Sequence, residues 1–330
     1  MLMPLLNKIA NVLEEVPQTF RRTSNPKLIM TLLVKNEEDI LEENLCFHKA
    51  MGVDGFIITD NNSTDGTIEI IQKYQKEGWI KEAIIEKATN YNQKVWVDRM
   101  IKIAKKQLHA DWVINADADE LWYSPTGSLK TELATTRANV LKCSMRYMYP
   151  EAGKQFWKWN QAIIPIINPL KYNFYNLSRY SLYIPQRGKV LHRTTSYLQI
   201  STGNHKVLMF PKRLRKSNIC IYHYSIRGKE RFLEKMINGG KQLEQNPHRH
   251  IGMHWRYFYQ LYKNQQLEIE YDKIIGANSY DQLQRDGYIK TDNTIPDFFK
   301  QHFNNSVMKH AYLIIVHNEY PVLVNAFIHD

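Results

Sequence analysis

The sequence predicts an α/β protein, a mostly parallel sheet with helices on both of its faces. Three observations lead there. Between residues 27 and 116, short apolar runs fit for buried strands alternate with stretches of helical periodicity. The 330 residues are 43% hydrophobic, enough to bury the core of one large or two modest domains. The three cysteines, Cys46, Cys143 and Cys220, are scattered with no CxxC pair, so neither a disulfide framework nor a cysteine zinc site replaces that core.

Taken in order, residues 1–16 set Leu2, Leu5, Leu6, Ile9, Val12, Leu13 and Val16 on one helical stripe, ended by Pro17. With Lys8 as its one basic residue, the stripe lacks the cationic face of a membrane-surface helix. Packing on the body is the favoured reading, and a peripheral membrane contact the alternative. "KLIMTLLV" is the first strand, and "NEEDILEENLCFHKAMG" the first helix, with acids in its first turn and Gly52 as its stop. "GFIIT" is the second strand; "STDGTIEIIQKYQKEG" is the second helix, with cap residues before it and Gly78 after it. "EAIIE" is the third strand. Val97, Met100, Ile101, Ala104 and Leu108 give the third helix an apolar face, and "DWVINA" is the fourth strand. From residue 126 to 225 the chain is rich in Tyr and Trp without a clean period, which predicts short strands and long loops. Helical character returns after Ser225, in "GKERFLEKMINGG" and "MHWRYFYQLYKNQQLEIEYDKII".

The formal net charge of +11 is localised. From Arg187 to Lys241, 13 Lys and Arg stand against two acids, Glu230 and Glu234, and the rest of the chain balances. Such a window predicts a phosphate-bearing ligand, an anionic membrane surface or a nucleic acid as partner, set against a merely solvated basic face. No apolar run reaches the roughly 20 residues of a spanning helix. The N-terminus also lacks the basic start and small-residue cleavage site of a signal peptide. The expected location is cytoplasmic, with a peripheral position at the inner face of the cell membrane as the variant the N-terminal stripe leaves open.

In parallel sheets ligands bind beyond the carboxyl ends of the strands. Three polar clusters fall there: Lys35-Asn36-Glu37, Asp60-Asn61-Asn62 and Asp117-Ala118-Asp119. No GxGxxG follows the first strand, which disfavours a nicotinamide dehydrogenase, and no GxxxxGK[ST] occurs, which excludes a P-loop ATPase. "DWVINADADE" ends a buried strand in Asp117, Asp119 and Glu120, carboxylates that repel unless a cation holds them. An Asp-x-Asp suits a hard divalent ion, Mg²⁺ or Mn²⁺, whose remaining positions are filled by phosphate oxygens and water. A third ligand is sought in His223 of "IYHYS" or His205 of "STGNHKV", and imidazole favours Mn²⁺. The cluster His248, His250 and His254 has no acidic or cysteine partner and is read as a surface segment. Asp60 is placed to accept hydrogen bonds from ribose hydroxyls or a base edge.

Together, "TLLVKNEEDILEENLCFHKAMGVDGFIITDNNSTDGT" and "WVINADADE" resemble the family 2-like glycosyltransferases with the GT-A fold, in particular bacterial members with a KNE first loop. "GKVLHRTTSYLQISTGNHKV" and "IYHYSIRGKERFLEKM" resemble the later GxH and HY segments of that group, so the likeness runs from residue 27 to residue 240. The resemblance implies a nucleotide-sugar donor, usually a UDP-sugar, and Mn²⁺ or Mg²⁺ as cofactor. It implies hexosyl or N-acetylhexosaminyl transfer, with inversion, to a glycan, lipid-linked glycan or glycoprotein in bacterial surface-glycan assembly, and no nucleic-acid partner. Asn36 and Glu37 would sit at the nucleotide mouth, Asp60 would meet the uridine with Asn62 and Asp65 in the loop after it, and Arg99 would face the nucleotide. Asp117 and Asp119 would hold metal and diphosphate, with His223 as third metal ligand and His205 as its competitor. Lys189, Arg193, Arg227 and Lys235 would contact the diphosphate or an anionic acceptor. The pattern departs from the family at the catalytic base, where the late Glu-Asp pair is absent. Glu151 and Glu120 are the candidates, Glu120 more readily as a support of the site.

The expected organisation is an N-terminal helix over 1–26, a nucleotide-sugar-binding and catalytic domain over 27–225, a helical extension over 226–306 and a terminal strand and helix over 307–330. "LIIVHNEYPVL" at 313–323 parallels "TLLVKNEEDIL" at 31–41, with Asn318 matching Asn36. It resembles the opening strand of a second glycosyltransferase domain, similar to the branching N-acetylglucosaminyltransferases, so the front part of a longer two-domain enzyme stands beside a simple terminal strand. Two rival functions are weaker. A sugar nucleotidyltransferase would show a Gly-rich basic loop after the first strand, and a polyanion-binding module leaves the aligned acids unexplained.

Overall fold

The computed structural model of the chain describes residues 14–88, 92–244 and 252–303. The expected N-terminal stripe up to residue 13, His248 and His250, and the echo at 313–323 lie outside the described residues. The four expected strands form, as β1 (Leu28–Val34), β2 (Gly55–Asp60), β3 (Ile80–Ile85) and β4 (Trp112–Ala116). Between them lie α1 (Leu41–Ala50), α2 (Thr67–Lys76) and α3 (Gln93–Lys106). α1 starts five residues later than the pattern suggests, because Glu37, Glu38 and Asp39 are held in a loop by side chains from elsewhere.

Next come β5 (Glu120–Tyr123), α4 (Leu129–Thr135), β6 (Val140–Tyr147), β7 (Gln161–Ile163), α5 (Leu170–Phe174), β8 (Val190–Arg193), β9 (Tyr197–Ile200), β10 (Val207–Met209) and β11 (Leu214–His223). The chain then runs through α6 (Lys229–Glu244), α7 (Met253–Lys263), α8 (Leu267–Ile275), α9 (Tyr280–Arg285), β12 (Ile289–Thr291) and α10 (Thr294–His302). Eight strands make one sheet in the order β3-β2-β1-β4-β8-β6-β11-β5, and the pairs β9 with β10 and β7 with β12 make two small ones. No described helix is long and apolar enough to cross a membrane.

Side chains alternate faces along a strand, and both faces of this sheet are covered. Leu28, Met30, Leu32 and Val34 of β1 pack with Leu41, Leu45 and Phe47 of α1 and Ile71 of α2. Ile29 points the other way, to Val97, Met100, Ile101 and Ala104 of α3. α10 returns to the first of these cores, with the Phe298 ring 4.7 Å from that of Phe47. A third cluster joins Ile163, Ile166 and Tyr183 to Phe232 of α6, Phe258 of α7 and Ile274 of α8. Both the first and third clusters therefore draw residues from each side of position 226.

Strand direction decides what reaches the ligand-binding edge. β1 to β4, β6 and β11 run one way, and their last residues share that edge. β8 runs against β4 and β6, and β5 against β11, so these two bring their beginnings there instead. Lys189, just before β8, and Glu120, the first residue of β5, thus join Asp60, Asp117 and His223. Gly188 lets this happen: a Cβ on it would sit 1.8 Å from the Cys143 carbonyl oxygen of β6. Replacing Gly188 by Ala must push β8 off β6. The expected result is a loss of about 3 kcal/mol in urea unfolding, whereas Gly127→Ala, whose added Cβ meets open space despite a φ of +78°, costs only about 1 kcal/mol.

Candidate active site

The acids at the end of β4 are matched one by one with cations. Lys189 Nζ lies 2.7 Å from Asp117 Oδ2 and 2.6 Å from Glu120 Oε1. The Glu120 side chain is fully buried, while that of Asp117 is 41% exposed, so the pair has an inner and an outer member. Burial alone would lower the Lys189 ammonium, but Asp117 and Glu120 outweigh it and hold the group above its ordinary value. Burial pushes the Glu120 carboxyl up, against the pull of Lys189. Its Oε2 accepts the backbone N–H of Asp117 at 3.3 Å, so Glu120 also clamps the loop.

Asp119 turns to a different set. Its Oδ1 is 3.2 Å from His223 Nε2, and its Oδ2 is 3.4 Å from Lys235 Nζ and 3.6 Å from Arg227 Nη1. The antiparallel register that sets His223 opposite Glu120 makes this meeting possible, and the Tyr224 N–H donates to the Asp119 carbonyl at 2.8 Å. Burial works to raise the Asp119 carboxyl, yet Lys235, His223 and Arg227 together hold it well below the usual carboxylate range.

The loops after β1 and β2 lock into each other. Asn36 takes a left-handed φ of 52°, its N–H donates to Ser63 Oγ at 2.8 Å, and its Oδ1 accepts the Thr64 N–H at 2.8 Å. The Glu37 N–H donates to Thr67 Oγ1 at 2.8 Å, and Asp65 Oδ1 accepts the Thr67 hydroxyl at 2.6 Å. Asn62 is exposed and also left-handed, at a φ of 55°. Asp60 is buried; its Oδ2 accepts the Ser63 N–H at 3.1 Å, while its Oδ1 has no hydrogen-bond partner. Arg227 reaches across to this pair of loops, bonding Glu37 and, at 2.8 Å, Asp39. Arg231 adds contacts to Glu37 at 3.0 Å and Asp39 at 2.9 Å. Part of the basic window is thereby neutralised inside the site itself.

Four expected residues make other contacts. Arg193 ends β8, and since that strand runs antiparallel it lies at the opposite edge, its guanidinium 4.7 Å from the centre of the Trp112 ring. Arg99 pairs at 2.9 Å with Glu86, just after β3, whose N–H donates to the Asp60 carbonyl at 2.8 Å, so this pair stays at the ligand-binding edge. His205 Nδ1 is 3.3 Å from the Gly188 carbonyl, and burial lowers its pKa, with the charges of Lys189 and Asp117 within reach. Glu151 is a local staple, accepting the Asn160 N–H at 2.6 Å and pairing with Lys154 at 2.5 Å.

The model of the family described as glycosyl transferase family 2 matches residues 32–195, the stretch that carries both interlocked loops, the acidic strand end and Lys189. Over those residues the chain belongs to glycosyl transferase family 2. Its eight-stranded, mostly parallel sheet is the GT-A form of the Rossmann-like fold. A comparison with curated proteins finds no match. Among solved structures, TarS 1-349 of S. aureus shares 15% identity over 78% of this chain and 74% of its own, with a TM-score of 0.39. The UDP complex of the same TarS fragment gives 14% identity over 78% and 74%, with a TM-score of 0.38. Glucosyl-3-phosphoglycerate synthase from Mycobacterium tuberculosis, in complex with Mn²⁺, UDP and glucosyl-3-phosphoglycerate, gives 14% over 54% and 61%, with a TM-score of 0.31. At these values no residue of this glycosyltransferase is assigned a role by superposition.

A divalent ion can be tested against the donor atoms present. Among the described residues no group of three or more His, Cys, Asp and Glu converges to hold a metal. Two donors do converge: Asp119 Oδ1, which is buried, and His223 Nε2, 3.2 Å apart. Neighbouring ligands of an octahedral ion at about 2.1 Å stand about 3.0 Å apart, close to the separation of this pair. The residues therefore fit two adjacent positions, with the rest left to phosphate oxygens and water. Asp117 is drawn off by Lys189.

Two residues that the sequence reading missed hold the acidic loop from below. Asn44 Nδ2 donates to the Ala118 and Glu120 carbonyls at 2.8 and 3.0 Å. His48 fixes Asn44: its Nε2 accepts the Trp122 N–H at 3.0 Å, so its Nδ1 carries the proton and donates to the carbonyl and side-chain oxygens of Asn44. Burial takes the His48 pKa down to about 3, which keeps the ring neutral. The available signal was a polar pair four residues apart on the apolar face of α1.

Two expectations follow from this geometry. Asn44→Ala leaves two buried carbonyls without donors and should cost roughly 2–4 kcal/mol in denaturant unfolding. For Asp119, a carboxyl held below its ordinary value near 3.8 stabilises the fold above that pH and loses this contribution as pH falls through the folded-state pKa. Asp119→Asn should therefore be less stable than wild type at neutral pH, and the gap should narrow in chelator-treated samples taken to strong acid.

Proposed function

We propose that this glycosyltransferase moves a hexosyl or N-acetylhexosaminyl group from a UDP-sugar to a glycan or glycoprotein acceptor in bacterial surface-glycan assembly. A divalent ion, Mn²⁺ or Mg²⁺, would be held by Asp119 and His223. The observation that carries this reading is that pair: an acid and an imidazole from distant parts of the chain, 3.2 Å apart at the ligand-binding edge, with Lys235 and Arg227 on the acid's other oxygen. A bound ion supplies charge neutralisation to the departing diphosphate.

The chain's own groups do the remaining work. The free Oδ1 of buried Asp60 is an acceptor for a uracil N–H or a ribose hydroxyl. Lys189 and Arg227 present positive charge whose position is set in advance by Asp117, Glu120, Glu37 and Asp39, and Lys235 is set by Asp119. Such charges stabilise negative charge growing on the leaving oxygen without reorganising at the moment of reaction. Glu120 and Glu151 have their oxygens engaged, and both are read as positioning residues rather than as the base.

The test is a panel of nucleotide-sugars with Mn²⁺, scored for slow donor hydrolysis. One UDP-sugar should turn over, and Asp119→Ala should lower its rate by about 100-fold or more, while Glu151→Gln keeps most of it. Mn²⁺ binding in the presence of UDP, followed by electron paramagnetic resonance, should weaken in Asp119→Ala and His223→Ala alike. Equal turnover in wild type and Asp119→Ala would refute the assignment.

A further inference from the structure

The positive charge extends well beyond the candidate site. From Ala152 to Lys229 the chain has fourteen Lys and Arg and no Asp or Glu. Part of this excess lies on one exposed ridge, β10 and the start of β11. Val207 and Met209 turn inward, while Leu208 and Phe210 turn out and are 57% and 58% exposed, followed by Leu214 at 57%. Lys206, Lys212, Arg213, Arg215 and Lys216 stand exposed around them, and none forms an ion pair among the described residues. Three bare apolar side chains set among five cations are costly to keep in water, and nothing in the described structure covers them.

The ridge is separate from the catalytic edge. β11 leads from Leu214 on the ridge to His223 at the site, ten residues of strand, or about 30 Å at 3.3 Å each. It also lies beside Thr19 and Phe20, near the first of the described residues. The Arg213 guanidinium is 4.4 Å from the centre of the Phe20 ring, and Thr19 contacts Ser196, whose carbonyl accepts the Phe210 N–H at 3.3 Å.

We propose that the Lys206–Lys216 ridge docks the protein on an anionic lipid surface. Any polyanion would satisfy the cations, but a nucleic acid or phosphate polymer offers nothing to Leu208 and Leu214. A bilayer interface takes both, since acyl chains accept the apolar side chains while anionic headgroups meet the ammonium and guanidinium groups. The other cluster of exposed large apolar residues, Ile167, Leu170 and Phe174, has Lys171 as its near cation, and that ammonium donates to the Tyr288 hydroxyl at 3.0 Å. It serves as the control surface.

The full chain is sedimented with phosphatidylcholine vesicles containing or lacking phosphatidylglycerol, at low and high salt, with each variant checked for an unchanged thermal midpoint. Wild type should bind the anionic vesicles, weakly or not at all the zwitterionic ones, and less at high salt. At about fivefold per cation, Lys212→Glu with Arg215→Glu should weaken binding at least about 20-fold. Phe210→Ser with Leu214→Ser, at constant charge, should weaken it about tenfold or more. Leu170→Ser with Phe174→Ser should bind as wild type does. Donor hydrolysis should be unchanged in all three. Absence of vesicle binding, equal binding to both vesicle types, or anionic binding indifferent to the loss of Phe210 and Leu214 would overturn the proposal, the last pointing to a purely electrostatic polyanion surface.

Discussion

A parallel sheet collects the ends of its strands at one edge, and in this protein that edge collects carboxylates. Glu37, Asp39, Asp60, Asp117, Asp119 and Glu120 stand close together, several of them buried. An unpaired buried charge costs several kcal/mol, and five of these six acids are given a cation, while Asp60 is held by the Ser63 N–H. Lys189 is the clearest instance, shared between Asp117 and Glu120 and nearly removed from solvent. Without it, Glu120 would have to bind a proton or the acidic loop would have to move.

This requirement joins two distant parts of the chain. The acids come from the first 120 residues, and Lys189, His223, Arg227, Arg231 and Lys235 come from the basic stretch that follows much later. The meeting is enforced by two strands that run against their neighbours. β8 delivers Lys189 and β5 delivers Glu120, and the β5–β11 register then sets His223 beside Asp119. Arg227 and Arg231 extend the same coupling to the loop after β1. The two halves of the site are therefore one electrostatic unit. A substitution in either half should be felt in the other, because the matching charges cannot be re-solvated without opening the edge.

Much of the fold was legible because burial leaves a period. Leu28 to Val34 and Trp112 to Ala116 read as strands buried on both faces, and Val97, Met100, Ile101 and Ala104 read as one helical face. The acidic strand end was legible too, since Asp117, Asp119 and Glu120 follow an apolar run directly. The late start of α1 was hidden: acids in a first turn look the same whether they cap a helix or bind Arg227 and Arg231 across the fold. Asn44 and His48 were hidden for a similar reason, as their partners are backbone atoms of residues 118 to 122, which carry no side-chain signature.

The sequence by itself determined the alternation of strands and helices, the acids placed at strand ends and the excess of positive charge after residue 151. Those are properties of local order and composition, which the linear chain carries. Only the tertiary structure decided which cation meets which acid. Lys189 and Arg193 are four residues apart and look alike in the chain, yet one enters the candidate site and the other stands at the far edge beside Trp112. His223 reaches Asp119 while His205 turns to the Gly188 carbonyl. The physical reason is strand direction: reversing a strand exchanges its two ends between opposite edges of the sheet, and hydrogen-bond pairing between strands far apart in sequence sets that direction.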